Sequence, residues 1–256
     1  MEYGGGMKKR EKYSQSWQGK SLNVNILYSR AGVAQQIWVS NENGSILFDT
    51  GDGILRDIIS NELDIAQIKA IVFTHGHFDH VGGLHSLLGF LRMKGKKEPL
   101  HIFAPEGCIE VFSIANNFLK CYQDTMPFKI TSREIQPHEV LQICDMLIEA
   151  YPVVHCGGIK STGILDKIPA VGYRISYKGE SIAISGDTGM CPSLKELVKG
   201  VDFAILEATL ETSKGANKET LEKVHLSEDL AREVGKLAKD FILIHKGKRR
   251  KNGKEN

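Results

Sequence analysis

The chain has 256 residues, 41% of them hydrophobic and 25% charged, enough apolar material for one large domain or two small ones. Its net charge of +2 is too small to imply nucleic-acid binding by itself, and no stretch approaches the roughly 20 apolar residues that span a bilayer. The five cysteines, an odd number without paired spacing, point to reduced thiols, and no apolar core follows the basic opening segment as in a signal peptide; a soluble, cytoplasmic protein without a membrane partner is expected.

Residues 1–19 are polar and glycine-rich and read as a flexible N-terminal tail in which Met7 could be the natural start; residues 247–256 read as a basic tail, and 20–246 as one continuous body. The body opens with β-rich runs at 22–28, 35–40 and 45–49, the last two joined by a hairpin turn at 41–44. A helix is expected over 54–61, a strand over 69–74, a helix over 81–93, a strand over 100–104 and a helix over 106–122, where apolar positions recur at helical spacing. Strands follow within 145–155 and within 170–188, the second region turning at Lys178-Gly179. The short helix PSLKELVKG ends at Gly200 in the manner of a C-terminal glycine cap. A strand at 202–208, a helix at 226–238 with Ser227 as its candidate cap, and a strand at 241–245 complete the series. No repeat of 20–50 residues is visible. Two β-rich halves with interspersed helices predict two packed sheets with the helices outside.

The chemistry collects where apolar runs stop. Asp49-Thr-Gly-Asp-Gly follows SILF, T-H-G-H-F-D-H at 74–80 follows IVF, His155 follows YPVV, Asp187 follows IAISG, Glu207 lies within AILEAT, and His245 follows ILI. Loops at strand ends place reactive groups on a rigid scaffold. Three histidines and an aspartate within six residues share a reason to converge only if they hold metal, because without it they would be buried polar groups in search of partners. His75 and His77 alternate and can aim at one ion, while Asp79 and His80 can face a second. Imidazole and carboxylate suit zinc, and also manganese or iron; the absence of thiolates speaks against a closed structural zinc site. His85, His101 and His138 belong to no cluster and read as hydrogen-bonded structural residues, and Cys156 and Cys191 as small buried thiols.

T-H-G-H-F-D-H resembles the H-x-H-x-D-H signature of the metallo-β-lactamase superfamily. The stretches GLHSLLGFLRMKGKKEPLHIFAPEG (83–107), AYPVVH, PAVGYRI, SGDTGMCPSLKELVKGVDFAILEATLE, the H-L-S run from His225 and the closing FILIH resemble its ribonuclease Z-like branch, over roughly residues 22–246. That resemblance implies an α+β fold, an αββα four-layer sandwich with two mixed β-sheets face to face and helices outside, forming a single hydrolase domain over 20–246. It also implies two divalent metal ions, zinc first. His75, His77 and His155 would take one ion, Asp79, His80 and His245 the other, and Asp187 would bridge both. A metal-bridging hydroxide would be the nucleophile, oriented by Asp79, and Glu207 with His225 would match a carboxylate-supported general acid. A helix-terminal residue facing solvent is the plain alternative for His225.

Four features depart from the branch, one being that its acidic turn after the third strand reads GDG here. Its tRNA-processing members carry a long arm between the stretches resembling PAVGYRI and GDTG, where this chain has only SYKGESIAIS. The branch's early glycine-rich loop is replaced by LYSRAGVAQQ, and beyond His245 the chain runs into Lys-Gly-Lys-Arg-Arg without the usual extension. The reading is a phosphodiester hydrolase resembling ribonuclease Z, acting on RNA 3′ ends or on small phosphodiesters. Alternatives are a hydrolase of another ester class, sulfate esters or lactones, on the same metal site, and a nucleic-acid-binding relative using the basic tail. A homodimer would let one subunit lend a loop to the other.

Overall fold

The computed structural model describes residues 15–159 and 163–247. Seven strands form the first sheet in chain order: β1 (Gln15–Gln18), β2 (Asn23–Arg30), β3 (Ala34–Asn41), β4 (Gly44–Phe48), β5 (Ile68–Val72), β6 (Leu100–Pro105) and β7 (Ile130–Ile135). β1 to β4 are an antiparallel meander, and β4 to β7 run parallel. Parallel neighbours need crossovers, here made by α1 (Ile54–Ser60), α2 (Phe78–Val81) with α3 (Leu84–Met93), and α4 (Ile109–Tyr122). Buried on both faces, β4 and β5 read as almost continuous apolar runs. Leu84, Leu87, Leu88 and Leu91 recur on one face of α3 and bury it against the sheet.

The second half supplies β8 (Val140–Ile143), β9 (Met146–Pro152), a hairpin of β10 (Cys156–Ile159) and β11 (Gly163–Lys167), β12 (Val171–Tyr177), β13 (Glu180–Ile184), α5 (Pro192–Val198), β14 (Phe203–Glu207), α6 (Lys218–Lys223), α7 (Glu228–Gly235) and β15 (Asp240–Ile244). Six of these strands form the second mixed sheet, in the order β15-β14-β13-β12-β9-β8, and the hairpin is a separate two-stranded sheet. One apolar core lies between the sheets, with Phe48 and Val72 meeting Tyr173, Ile184 and Ile205. A second lies under α1 to α4 and a third under α5 and α7. These four layers are the expected αββα sandwich.

Several expectations are corrected by long-range contacts. Gln15–Gln18, expected within a flexible tail, form β1: Trp17 pairs opposite Val24 and its ring stacks on Phe203 with centroids 4.8 Å apart. The backbone N–H groups of Lys20, Ser21 and Leu22 then donate to the Glu180 carboxylate at 2.8–2.9 Å. The remainder of that tail, residues 1–14, and the basic tail from residue 248 lie outside the described residues. The single helix expected over 81–93 is interrupted at Gly82-Gly83, and only glycine fits at 83, where a Cβ would meet Ile54 Cγ2 at 2.6 Å and Gly51 O at 2.8 Å. β7, β8, the β10–β11 hairpin and α6 carried no sequence expectation; β7 and β8 are edge strands whose outward residues are polar or exposed. Gly200 follows α5 with φ +76°, the left-handed value a glycine stop requires, and Ser227 takes the N-cap position of α7 without a side-chain cap hydrogen bond.

Candidate metal centre

Strand direction collects the site. β9 and β12 are antiparallel, as are β12 and β13, whereas β13, β14 and β15 are parallel; so β9, β13, β14 and β15 all end at one edge. Asp187 follows β13, Glu207 closes β14, His245 follows β15 and His155 lies just beyond β9. In the first sheet Asp49 follows β4, and His75, His77, Asp79 and His80 follow β5. The two edges are sewn together where Val171 N–H donates to Thr74 O at 3.0 Å and the Tyr173 hydroxyl donates to Phe73 O at 2.7 Å.

All seven residues predicted as ligands converge there. His75, His77 and His155 form one group of donor atoms within 4.8 Å of one another, Asp79, His80 and His245 form a second, and His75, His80 and Asp187 form a third that links the two. Asp187 Oδ2 lies 3.1 Å from His245 Nε2, 3.5 Å from His80 Nε2 and 4.0 Å from His75 Nε2. His77 Nδ1 and His155 Nε2 are 3.1 Å apart. His75 Nε2, His80 Nε2 and Asp187 Oδ1 are buried without a hydrogen-bond partner. Orphaned polar atoms of this kind cost free energy, and a cation shared among imidazole and carboxylate donors would satisfy them together. The residues fit a divalent metal.

The electrostatics of the metal-free cluster divide its histidines. Burial first, then the neighbouring His80 and His155, hold His75 well below the ordinary histidine range, and burial brings His155 down to about 4 even though Asp187 opposes it. Neutral imidazole is the form that binds metal. Burial would also lower His80, but Asp187 and Asp49 overcome it and raise that group well above the ordinary value. Burial would raise Asp187, yet His245 and His80 hold its carboxyl well below the usual range.

A supporting layer orients these groups, most of it without a role in the sequence expectations. Asp49 Oδ2 lies 2.7 Å from His80 Nδ1, and the same carboxylate accepts from the Thr74 N–H and hydroxyl, both at 2.9 Å. A carboxylate behind a histidine fixes its tautomer and raises its basicity. Gly32 N–H donates to Asp79 Oδ2 at 2.8 Å, so LYSRAGVAQQ supplies a backbone donor although it lacks the glycine-rich pattern. His155 Nδ1 lies 2.8 Å from Val224 O, and Ser29 Oγ accepts from His245 N–H at 2.8 Å. Asp49 and His245 adopt left-handed backbone, φ 59° and 53°, a conformation that persists where the surroundings over-determine it.

Glu207 is fully buried and its Oε1 lies 3.0 Å from His225 Nδ1. It also accepts from the backbone N–H groups of Thr188, Leu226 and Thr209. The His225 side chain remains 21% exposed, 3.9 Å from Asp187 Oδ2. Burial lowers its pKa, but the Glu207 carboxylate prevails and raises it to about 9. The solvent-facing alternative for His225 does not describe this arrangement. Outside the cluster, His101 Nδ1 lies 2.8 Å from Thr131 Oγ1, the His85 ring lies edge-on to Phe118 and the His138 ring to Tyr151. Cys156 and Cys191 are buried free thiols and join none of the three donor groups.

A beta-lactamase superfamily domain model matches residues 45–245. The chain is 32% identical over 212 residues to a ribonuclease BN from Erwinia tasmaniensis, covering 67% of this chain and 68% of that protein. Among solved structures, the metallo-β-lactamase fold protein YhfI from Bacillus subtilis superposes with a TM-score of 0.72 at 18% identity, over 90% of this chain and 88% of that one. The short form of human tRNase Z gives a TM-score of 0.68 at 22% identity, over 89% and 93% respectively. The chain belongs to the metallo-β-lactamase superfamily, in its ribonuclease Z-like branch. It is a metal-dependent hydrolase. No helix among the described residues is long and apolar enough to cross a membrane.

Proposed function

We propose that this hydrolase cleaves phosphodiesters at a dinuclear metal centre, with the Glu207–His225 pair as its proton donor. His75, His77 and His155 would hold one ion, Asp79, His80 and His245 the other, and Asp187 both; the three linked donor groups support this division. Two divalent ions, zinc first and manganese or iron as the other fitting choices, supply Lewis acidity and bring the pKa of a water toward about 7. Asp79, held by the Gly32 N–H, orients the attacking water. The water oxygen forms the new bond to phosphorus, the bond from phosphorus to the leaving oxygen breaks, and His225 delivers its proton to that oxygen. Glu207 keeps the imidazole turned with Nδ1 toward itself, so that Nε2 is the nitrogen that donates.

The observation that carries this reading is the partly exposed His225 ring, buttressed by a buried carboxylate beside Asp187. A leaving group that needs a proton is what such a pair serves. Where the resemblance would place a tRNA-gripping arm, β12 and β13 are joined by a two-residue turn, Lys178-Gly179. That turn favours small or flexible phosphodiesters, including single-stranded RNA ends, over a folded tRNA precursor. The test is a panel of phosphodiester, sulfate-ester and lactone substrates with metal-reconstituted protein. Turnover confined to the phosphodiesters is expected; turnover confined to either other class overturns the proposal.

A further inference from the structure

The β10–β11 hairpin belongs to neither sheet of the sandwich, and none of its described residues joins the three apolar cores. An isolated two-stranded hairpin is marginal in water, so it must be held by its ends. Both ends are tied to the same donor group of the metal centre. β10 leaves directly from His155, whose carbonyl accepts from Ile168 N–H at 3.0 Å as the chain returns. Two residues later Ala170 bridges to His75. The hairpin thus stands at the edge of the site, and its described residues do no work for the core.

One of its side chains, Leu165, lies on the His77 side of the site. His77 is only partly buried, unlike His75, Asp79, His80 and His155. The position that a Cβ on Gly157 would take is 3.6 Å from both His77 Nε2 and Leu165 Cδ1, so Leu165 and the His77 ring flank the same point beside Gly157. Leu165 is 46% exposed, and Phe78, between His77 and Asp79 in the chain, is 68% exposed. A large aromatic left in water between a partly buried and a buried polar neighbour serves no packing purpose.

We propose that the β10–β11 hairpin is a substrate wall, and that Leu165 together with Phe78 selects phosphodiesters carrying a flat aromatic ring, a nucleobase or a phenyl group, beside the scissile phosphate. The inference rests on the phosphodiesterase reading and adds to it the group that stays on phosphorus. Apolar and aromatic faces take such a ring by contact area and stacking and give a methyl group far less to hold.

Three substrates with one leaving group test this: methyl, phenyl and thymidine-5′ esters of p-nitrophenyl phosphate. p-Nitrophenolate leaves without a proton, so His225 chemistry does not enter the comparison. The zinc-loaded protein is expected to favour the phenyl and thymidine esters over the methyl ester by about tenfold in kcat/KM. Leu165→Ser and Phe78→Ala are each expected to cut that preference by about threefold or more, mainly through KM, with metal content unchanged by elemental analysis. Calorimetric binding of phenylphosphonate against methylphosphonate should lose its difference in parallel. A preference for the thymidine ester alone that both variants abolish supports the wall and makes the nucleobase its occupant. Equal turnover of all three esters, or a ring preference that Leu165→Ser leaves intact, overturns the inference while the phosphodiesterase reading stands. Turnover of none of them removes both.

Discussion

His225 Nδ1 and Glu207 Oε1 lie 3.0 Å apart although 18 residues separate them, and the carboxylate is buried while the imidazole reaches solvent. The buried carboxylate favours the protonated His225 imidazole above the pH at which an isolated histidine loses its proton. In metal-free protein, NMR titration of His225 should give a pKa near 9, and Glu207→Gln should lower it. The sign for stability follows: the favourable interaction is fully present below the ordinary histidine value and is lost as pH rises through about 9. In the loaded enzyme, His225→Ala should keep its metal and lose roughly 10²–10⁴-fold in turnover on substrates with poor leaving groups. Loss of a metal ion from that variant would make His225 a ligand.

Metal uptake should release protons. His80 is held protonated by Asp187 and Asp49 against its burial, and only its neutral form can bind an ion. Apparent affinity should therefore rise with pH, and calorimetry in buffers of different ionisation enthalpy should show net proton release. Protein purified without chelator should carry about two divalent ions per chain by elemental analysis. A value near zero that zinc and manganese fail to restore would remove the metal-centre reading.

Asp49 should matter to metal binding without being one of the proposed ligands. Its carboxylate lies behind His80 and braces Thr74. Asp49→Asn should weaken zinc binding by about 10–100-fold, read by competition with a chromophoric chelator. An unchanged affinity would reduce the contact to a structural one.

Glu180 joins the N-terminal segment to the second sheet through three backbone N–H groups. Glu180→Ala should strip their acceptor and cost about 1–3 kcal/mol in urea denaturation. The metal site lies elsewhere, so metal content should not change.

Substrate size should be read from salt dependence. Gripping a folded tRNA away from the cut needs a charged surface whose contribution falls steeply with salt. With only a two-residue turn between β12 and β13, cleavage of precursor tRNA should be weak and salt-sensitive, while a small aryl phosphodiester is hydrolysed measurably. Efficient 3′ cleavage at physiological salt, unaffected by deleting the residues after Gly247, would place the grip on a surface other than the tail.

The sequence by itself made the strand-end clusters and two packed sheets legible, because each cluster directly follows an apolar run; the αββα layering and the division of the seven candidate ligands came from its resemblance to the metallo-β-lactamase superfamily. The H-x-H-x-D-H spacing is local chemistry, legible without a fold. Tertiary structure decided the rest, because those partners are remote in the chain. Asp49 meets His80 across 31 residues, Gly32 meets Asp79 across 47, and Ser29 meets His245 across 216. β1 forms because Trp17 finds Phe203, a contact with no local signal in a polar, glycine-rich segment. The described residues of the β10–β11 hairpin add nothing to the apolar cores, so hydrophobic periodicity could not announce it, and its anchorage to His155 and His75 reveals where it stands.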